Sequence, residues 1–160
     1  MLNQLRALFQ SKPAVAKGRQ AYARLIAPET LGRALEICAL PDDFSGRFEA
    51  MCLLIACDLH GGEDRGEVER ALVGEFVADI DRSFRENSLG DATVKRHATN
   101  HAAALYGRLR AYDAMLEDPA LEGETLRRNL YCDEPDAGQG EALRKLLPQI
   151  RDLLGRGHDR

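Results

Sequence analysis

Two histidines, His97 and His101, stand four residues apart, a spacing that on a helix can bring two imidazoles to one metal ion. A zinc-protease helix needs a glutamate directly after the first histidine. Ala98 occupies that place, and no carboxylate or thiol follows at a useful spacing. His101 also falls on an apolar stripe, so the pattern predicts a packed or hydrogen-bonded helix histidine, with a metal-dependent helical enzyme as the weaker alternative. Cys57-Asp58-Leu59-His60 sets a thiol and an imidazole at i, i+3, but His60 precedes Gly61 and Gly62, which predicts a helix-end histidine. Asp79 and Asp81 are two residues apart and point in different directions on a helix, so they do not form a carboxylate pair. There is no GxSxG, no Walker loop and no GxGxxG. No catalytic residue, metal ligand or cofactor is expected.

What remains is a surface of mixed charge: Asp81, Arg82, Arg85, Glu86, Asp91, Lys95 and Arg96 around one turn. Such a group is commonly a salt-bridged corner between helices, worth little pair by pair. It can also be a recognition corner for a protein segment, where Arg and Tyr supply anchors.

The elements that must position these residues read as helices. Leu2, Leu5, Leu8 and Phe9 recur at helical spacing and predict a short opening helix. Pro13 starts a second helix that stops near Pro28, and Pro28-Glu29-Thr30 starts a third that ends about Cys38. Residues 39–48 read as a loop. Phe48, Cys52, Ile55 and Leu59 then mark a helix ending before Gly61. The next helix runs from about Asp64 to Asn87, with Val68, Leu72, Val73, Phe76, Val77, Ile80 and Phe84 as its stripe.

Gly90 is a candidate left-handed cap, and Asp91 or Thr93 can cap a long helix reaching about Glu117. On that helix Val94, Ala98, His101, Leu105, Leu109, Tyr112 and Leu116 share one face, and Ala103, Gly107, Ala111 and Ala114 a second. Two packed faces predict the centre of a bundle. A short helix around Leu126–Tyr131, a polar loop at 133–140 and a final helix with a frayed GRGHDR tail complete the reading. The fold class expected is all-α: a compact, single-domain bundle of about six to eight helices. Its parts are a basic amphipathic arm at 1–12, a helical domain at 13–132, and a C-terminal loop, helix and tail at 133–160.

Composition supports this. The chain has 160 residues, 44% apolar and 30% charged with both signs mixed, enough for one core and too apolar for general disorder. The net charge of −4 divides unevenly: residues 1–28 hold five basic residues and no acid, which leaves −9 for the remainder. An acidic body does not wrap phosphate, so no nucleic acid is expected as a partner. Arg6, Lys12, Lys17 and Arg19 form a candidate membrane-surface set for anionic lipid, against the plainer reading of a solvated first helix. Cys38, Cys52, Cys57 and Cys132 make no CxxC pair and match no zinc spacing, which suits a reducing compartment. The N-terminus lacks a signal-peptide apolar core and no apolar run reaches membrane-spanning length, so a cytoplasmic location is expected.

Several segments, taken in order, resemble one family. LPDDFSGRFEAMCLLIACDL is similar to its Pro-Asp-x-x-x-Gly-Arg-Phe-(Glu/Asp) entry to a Leu-rich helix. Phe84-Arg85-Glu86, Leu89-Gly90-Asp91 and Val94-Lys95-Arg96 are similar to its Arg-Glu…Gly…Asp…Val…Lys run. Tyr106-Gly107-Arg108-Leu109 with Tyr112-Asp113, and then Asn129-Leu130-Tyr131, are similar to its closing motifs. The chain thus resembles the ubiquinol–cytochrome c chaperone family over roughly residues 20–132. Leu105 and Ser88-Leu89 depart from the pattern, and the final helix lies beyond it.

The resemblance implies a bacterial-type assembly factor of the cytochrome bc1 complex. Such a protein binds newly made cytochrome b, or a similar membrane client, at the cytoplasmic face of the inner membrane, with a small partner chaperone and peripheral membrane contact. On that reading the client-binding candidates are Asp81, Arg85, Glu86, Gly90, Asp91, Lys95, Tyr106, Arg108 and Tyr112, drawn from the mixed-charge corner and the motif residues of the long helix. The competing reading is a general helical adaptor with a soluble client.

Overall fold

Pro28 and the capping Asp43 and Asp118 mark the starts of helical segments, and the helix after Asp43 begins at Phe44, inside the 39–48 stretch read from the sequence as a loop. The computed structural model describes residues 12–86, 91–132 and 141–158. Among them are seven α-helices, one 3-10 turn and no strand, so the all-α reading holds. The helices are α1 (Lys12–Ile26), α2 (Pro28–Cys38), α3 (Phe44–Leu59), α4 (Arg65–Glu86), α5 (Asp91–Glu117), α6 (Glu122–Tyr131) and α7 (Glu141–His158). The turn Pro119–Leu121 joins α5 to α6. The helix expected over Leu2–Phe9, the Gly90 cap and the 133–140 loop lie outside the described residues.

Helix ends follow local chemistry. Pro28 opens α2 after a single break at Ala27, whose carbonyl accepts from Thr30 and Leu31 N–H, both at 2.9 Å. At the other end of α2, Ala39 is left-handed (φ 52°), and Leu40 N–H returns to the Leu35 carbonyl at 3.0 Å. Asp43 caps α3 by accepting from Gly46 N–H at 2.8 Å. Asp118 does the same for the 3-10 turn, accepting from Ala120 N–H at 3.0 Å. At the C-terminus helix continues to His158, where a frayed tail was expected.

The chain divides into two units. One comprises Met1–Ala23 and Gly61–Ala104, the other Arg24–His60 and Leu105–Arg160. In the first, α1 lies against α4. Gly18 makes that approach possible, because a Cβ there would sit 2.6 Å from Ala71 Cβ and 2.7 Å from the Val68 carbonyl oxygen. Tyr22 packs against Phe76, with ring centroids 6.3 Å apart, and donates its hydroxyl hydrogen to Asp79. Val68, Leu72, Val73 and Ile80 bury the predicted stripe of α4.

The second unit is organised around α3. Ala50, Met51, Cys52, Leu53, Leu54, Ile55 and Ala56 are consecutive and all buried. A helix apolar on every side belongs at the middle of a core. Buried in the same unit are Leu31, Ala34 and Leu35 of α2, Leu105, Leu109 and Met115 of α5, Leu126 and Leu130 of α6, and Leu146, Leu147 and Ile150 of α7. Each fully buried Leu or Ile contributes about 1.5–3 kcal/mol through removal from water.

This corrects the expected centre. The second face of the long helix is mostly open: Ala103, Gly107 and Ala114 are exposed, Ala111 is half-buried, and open space surrounds a Cβ built on Gly107. Small residues permit close approach without enforcing it, whereas the run from Ala50 to Ile55 must be buried somewhere. On the other face Met115 is buried and Leu116 only half-buried.

Candidate functional site

The motif residues at the start of α3 form a local device. Gly46 is held under Pro41 so closely that a Cβ would lie 1.9 Å from the Pro41 carbonyl oxygen. Only glycine fits there, and its N–H is the one Asp43 caps. Asp42 and Arg47 pair across the same turn at 2.6 Å; the Arg47 hydrogen bond holds the Asp42 carboxyl below its ordinary range. Phe48 enters the core, and Glu49 follows on the next position of α3.

Glu49 meets Arg108 of α5 side by side: Arg108 Nε donates to Oε2 and Nη2 to Oε1, both at 2.9 Å. Glu49 is 13% exposed and Arg108 28%, so the pair is largely shielded from water. The carboxylate raises the affinity of the guanidinium for its proton, and burial opposes this in part. Arg108 therefore holds α5 to α3. Tyr112, one turn further on, is fully buried, and burial pushes its hydroxyl well above the ordinary tyrosine range. Its hydroxyl and the Asn129 Nδ2 are buried without a hydrogen-bond partner among the described residues. Tyr131 reaches from α6 to donate its hydroxyl hydrogen to the Cys38 carbonyl at 2.7 Å. That carbonyl lies at the end of α2, where helix carbonyls lack internal partners.

Nine client-binding candidates came from the sequence. Asp81, Arg85 and Glu86 lie on α4 in the first unit, and Tyr106, Arg108 and Tyr112 on α5 in the second. Arg85 Nε donates to Asp81 Oδ2 at 2.7 Å, an i, i+4 pair along one helix. Glu86 is exposed. Gly90 lies outside the described residues; Asp91 and Lys95 are in α5, but their side chains are not described. Tyr106 is 44% exposed, one of four large apolar side chains so presented among the described residues. Arg108 and Tyr112 are structural in this fold: the first is paired, the second is core.

Of the membrane-surface set, Arg6 lies outside the described residues and the side chain of Lys12 is not described. Lys17 is exposed on α1, and Arg19 pairs with Glu75 of α4 at 2.8 Å. Asp79 accepts from Tyr22 and pairs with Arg82 at 2.6 Å, while Asp81 pairs with Arg85, so the two aspartates serve different partners.

The two histidines pack rather than converge. Phe84 sits 5.2 Å from the His97 ring and 5.3 Å from the His101 ring, and the imidazoles are 6.5 Å apart. His101 Nδ1 lies 2.8 Å from the His97 carbonyl oxygen, as its donor in that tautomer. No cluster of three metal-binding side chains occurs among the described residues. His60 is the C-cap of α3. Burial pushes the Cys57 thiol up to about 12, far from an activated nucleophile. Sequence reasoning missed Glu49 as the partner of Arg108. The one available signal was an acidic residue directly after Gly-Arg-Phe.

The residues that build α3, fasten α5 to it and tie α6 to the end of α2 belong to one sequence pattern. The profile of the ubiquinol-cytochrome C chaperone family matches residues 36–155, three quarters of the chain. The chain belongs to the ubiquinol-cytochrome C chaperone family. The match reaches into α7, further than the likeness ending near Cys132 that the sequence motifs marked. A crystal structure of the Cbp3 homolog from Brucella abortus is similar in fold, with a TM-score of 0.63 and 26% identity. The similarity covers 96% of this chain and 88% of that one. No curated protein is detectably similar in sequence. For a member of this chaperone family, Glu49, Arg108, Asn129 and Tyr131 make the motif readable as architecture.

Proposed function

We propose that this chaperone-family chain is a non-catalytic assembly factor that binds newly made cytochrome b while the cytochrome bc1 complex is being built. The family match over residues 36–155 carries the reading. The structural likeness to a Cbp3 homolog supports it. Binding is reversible, and a small partner chaperone and peripheral contact with the cytoplasmic face of the inner membrane belong to the same proposal. No helix among the described residues is long and apolar enough to cross a membrane.

Within the second unit, the exposed side of α5 is the client surface we favour. Tyr106 offers an aromatic body with a polar tip, a combination suited to an apolar segment bearing polar ends. Gly107 beside it leaves room for a backbone. In the first unit, Asp81, Arg85 and Glu86 present a polar surface for a client loop. Arg108 and Tyr112 act indirectly, by holding α5 in place.

Crosslinking in cells of the native host, followed by mass spectrometry, tests the proposal. Cytochrome b among the leading partners, enriched in an incompletely assembled pool, is the expected result. Capture of unrelated soluble proteins with no bc1 subunit would replace it with the general-adaptor reading.

A further inference from the structure

We draw no further inference here: the strongest candidate, the exposed stripe of Arg70, Gly74, Ala78 and Arg82 along α4, is a helix face of two small and two basic residues, and nothing in the structure shows what covers it.

Discussion

Glu49 and Arg108 lie 59 residues apart and form a two-pronged ion pair, both contacts 2.9 Å, that fastens α5 to α3. Shielded, charge-assisted bonds of this kind are costly to break from one side, because the surviving charge loses its partner without regaining water. Glu49→Ala and Arg108→Ala are each expected to lower stability by about 2–3 kcal/mol. The double variant should cost less than the sum. Urea unfolding of all four proteins checks this, and additive losses would mean that the pair is not coupled.

Two glycines separate necessity from tolerance. Gly46→Ala forces a methyl into the Pro41 carbonyl, so α3 must shift away from its cap. A loss of about 1–3 kcal/mol is expected from such overpacking. Gly107→Ala meets nothing within 4 Å and should gain up to about 1 kcal/mol of helix propensity. Thermal melts of both variants should therefore move in opposite directions.

Buried Tyr112 and half-buried Tyr131 should respond differently to loss of the hydroxyl. Tyr131→Phe removes the bond to the Cys38 carbonyl and is expected to cost about 1 kcal/mol. Tyr112→Phe removes a buried hydroxyl that has no partner among the described residues, so stability should be unchanged or higher. Equal losses in both would overturn the distinction.

The thiols give the protein an alkaline limb. Burial raises Cys38 and Cys57 from the ordinary 9.0 to about 12. Below pH 9 both folded and unfolded chains keep these protons. Between 9 and 12 only the unfolded chain releases them, so stability falls as pH rises, and above 12 the loss levels off. Cys38→Ala should make that limb shallower in unfolding titrations. In the native protein at pH 8, a thiol reagent is expected to label exposed Cys132 well before Cys38, Cys52 and Cys57.

Tyr106 is the residue through which the client surface can be tested without disturbing the core. Tyr106→Ala should leave the unfolding free energy within about 0.5 kcal/mol of the parent, since the side chain is 44% exposed. Recovery of cytochrome b with the protein should fall several-fold. Unchanged recovery would move the client contact elsewhere. A charge-reversed Arg85→Glu, Lys95→Glu chain, tested beside it, reports on the first unit in the same assay.

Helix positions were legible because their signals are local. Pro28 suits the first position of a helix, where its missing N–H costs no internal bond, and an apolar stripe with a period near 3.6 reads as one face of a helix. The packing expected of the histidine pair is seen in the contacts of both rings with Phe84. Family membership was legible for a related reason: its motifs are short and ordered along the chain. The extent of the match into α7 was not, since that helix carries only a generic Leu stripe.

The amino-acid sequence by itself therefore determined the helices and the family. The tertiary structure decided which helix becomes the centre and which charges pair. α3 took the central place in its unit because seven consecutive buried residues leave it no solvent face, while the small face of α5 carried no comparable penalty for exposure. Glu49 found Arg108 because the fold brings together positions 59 apart, a distance over which sequence periodicity holds no information. Tyr112 became core and Tyr106 surface although both are tyrosines on one helix: six positions advance a helix by about 600°, which turns the two side chains to different sides.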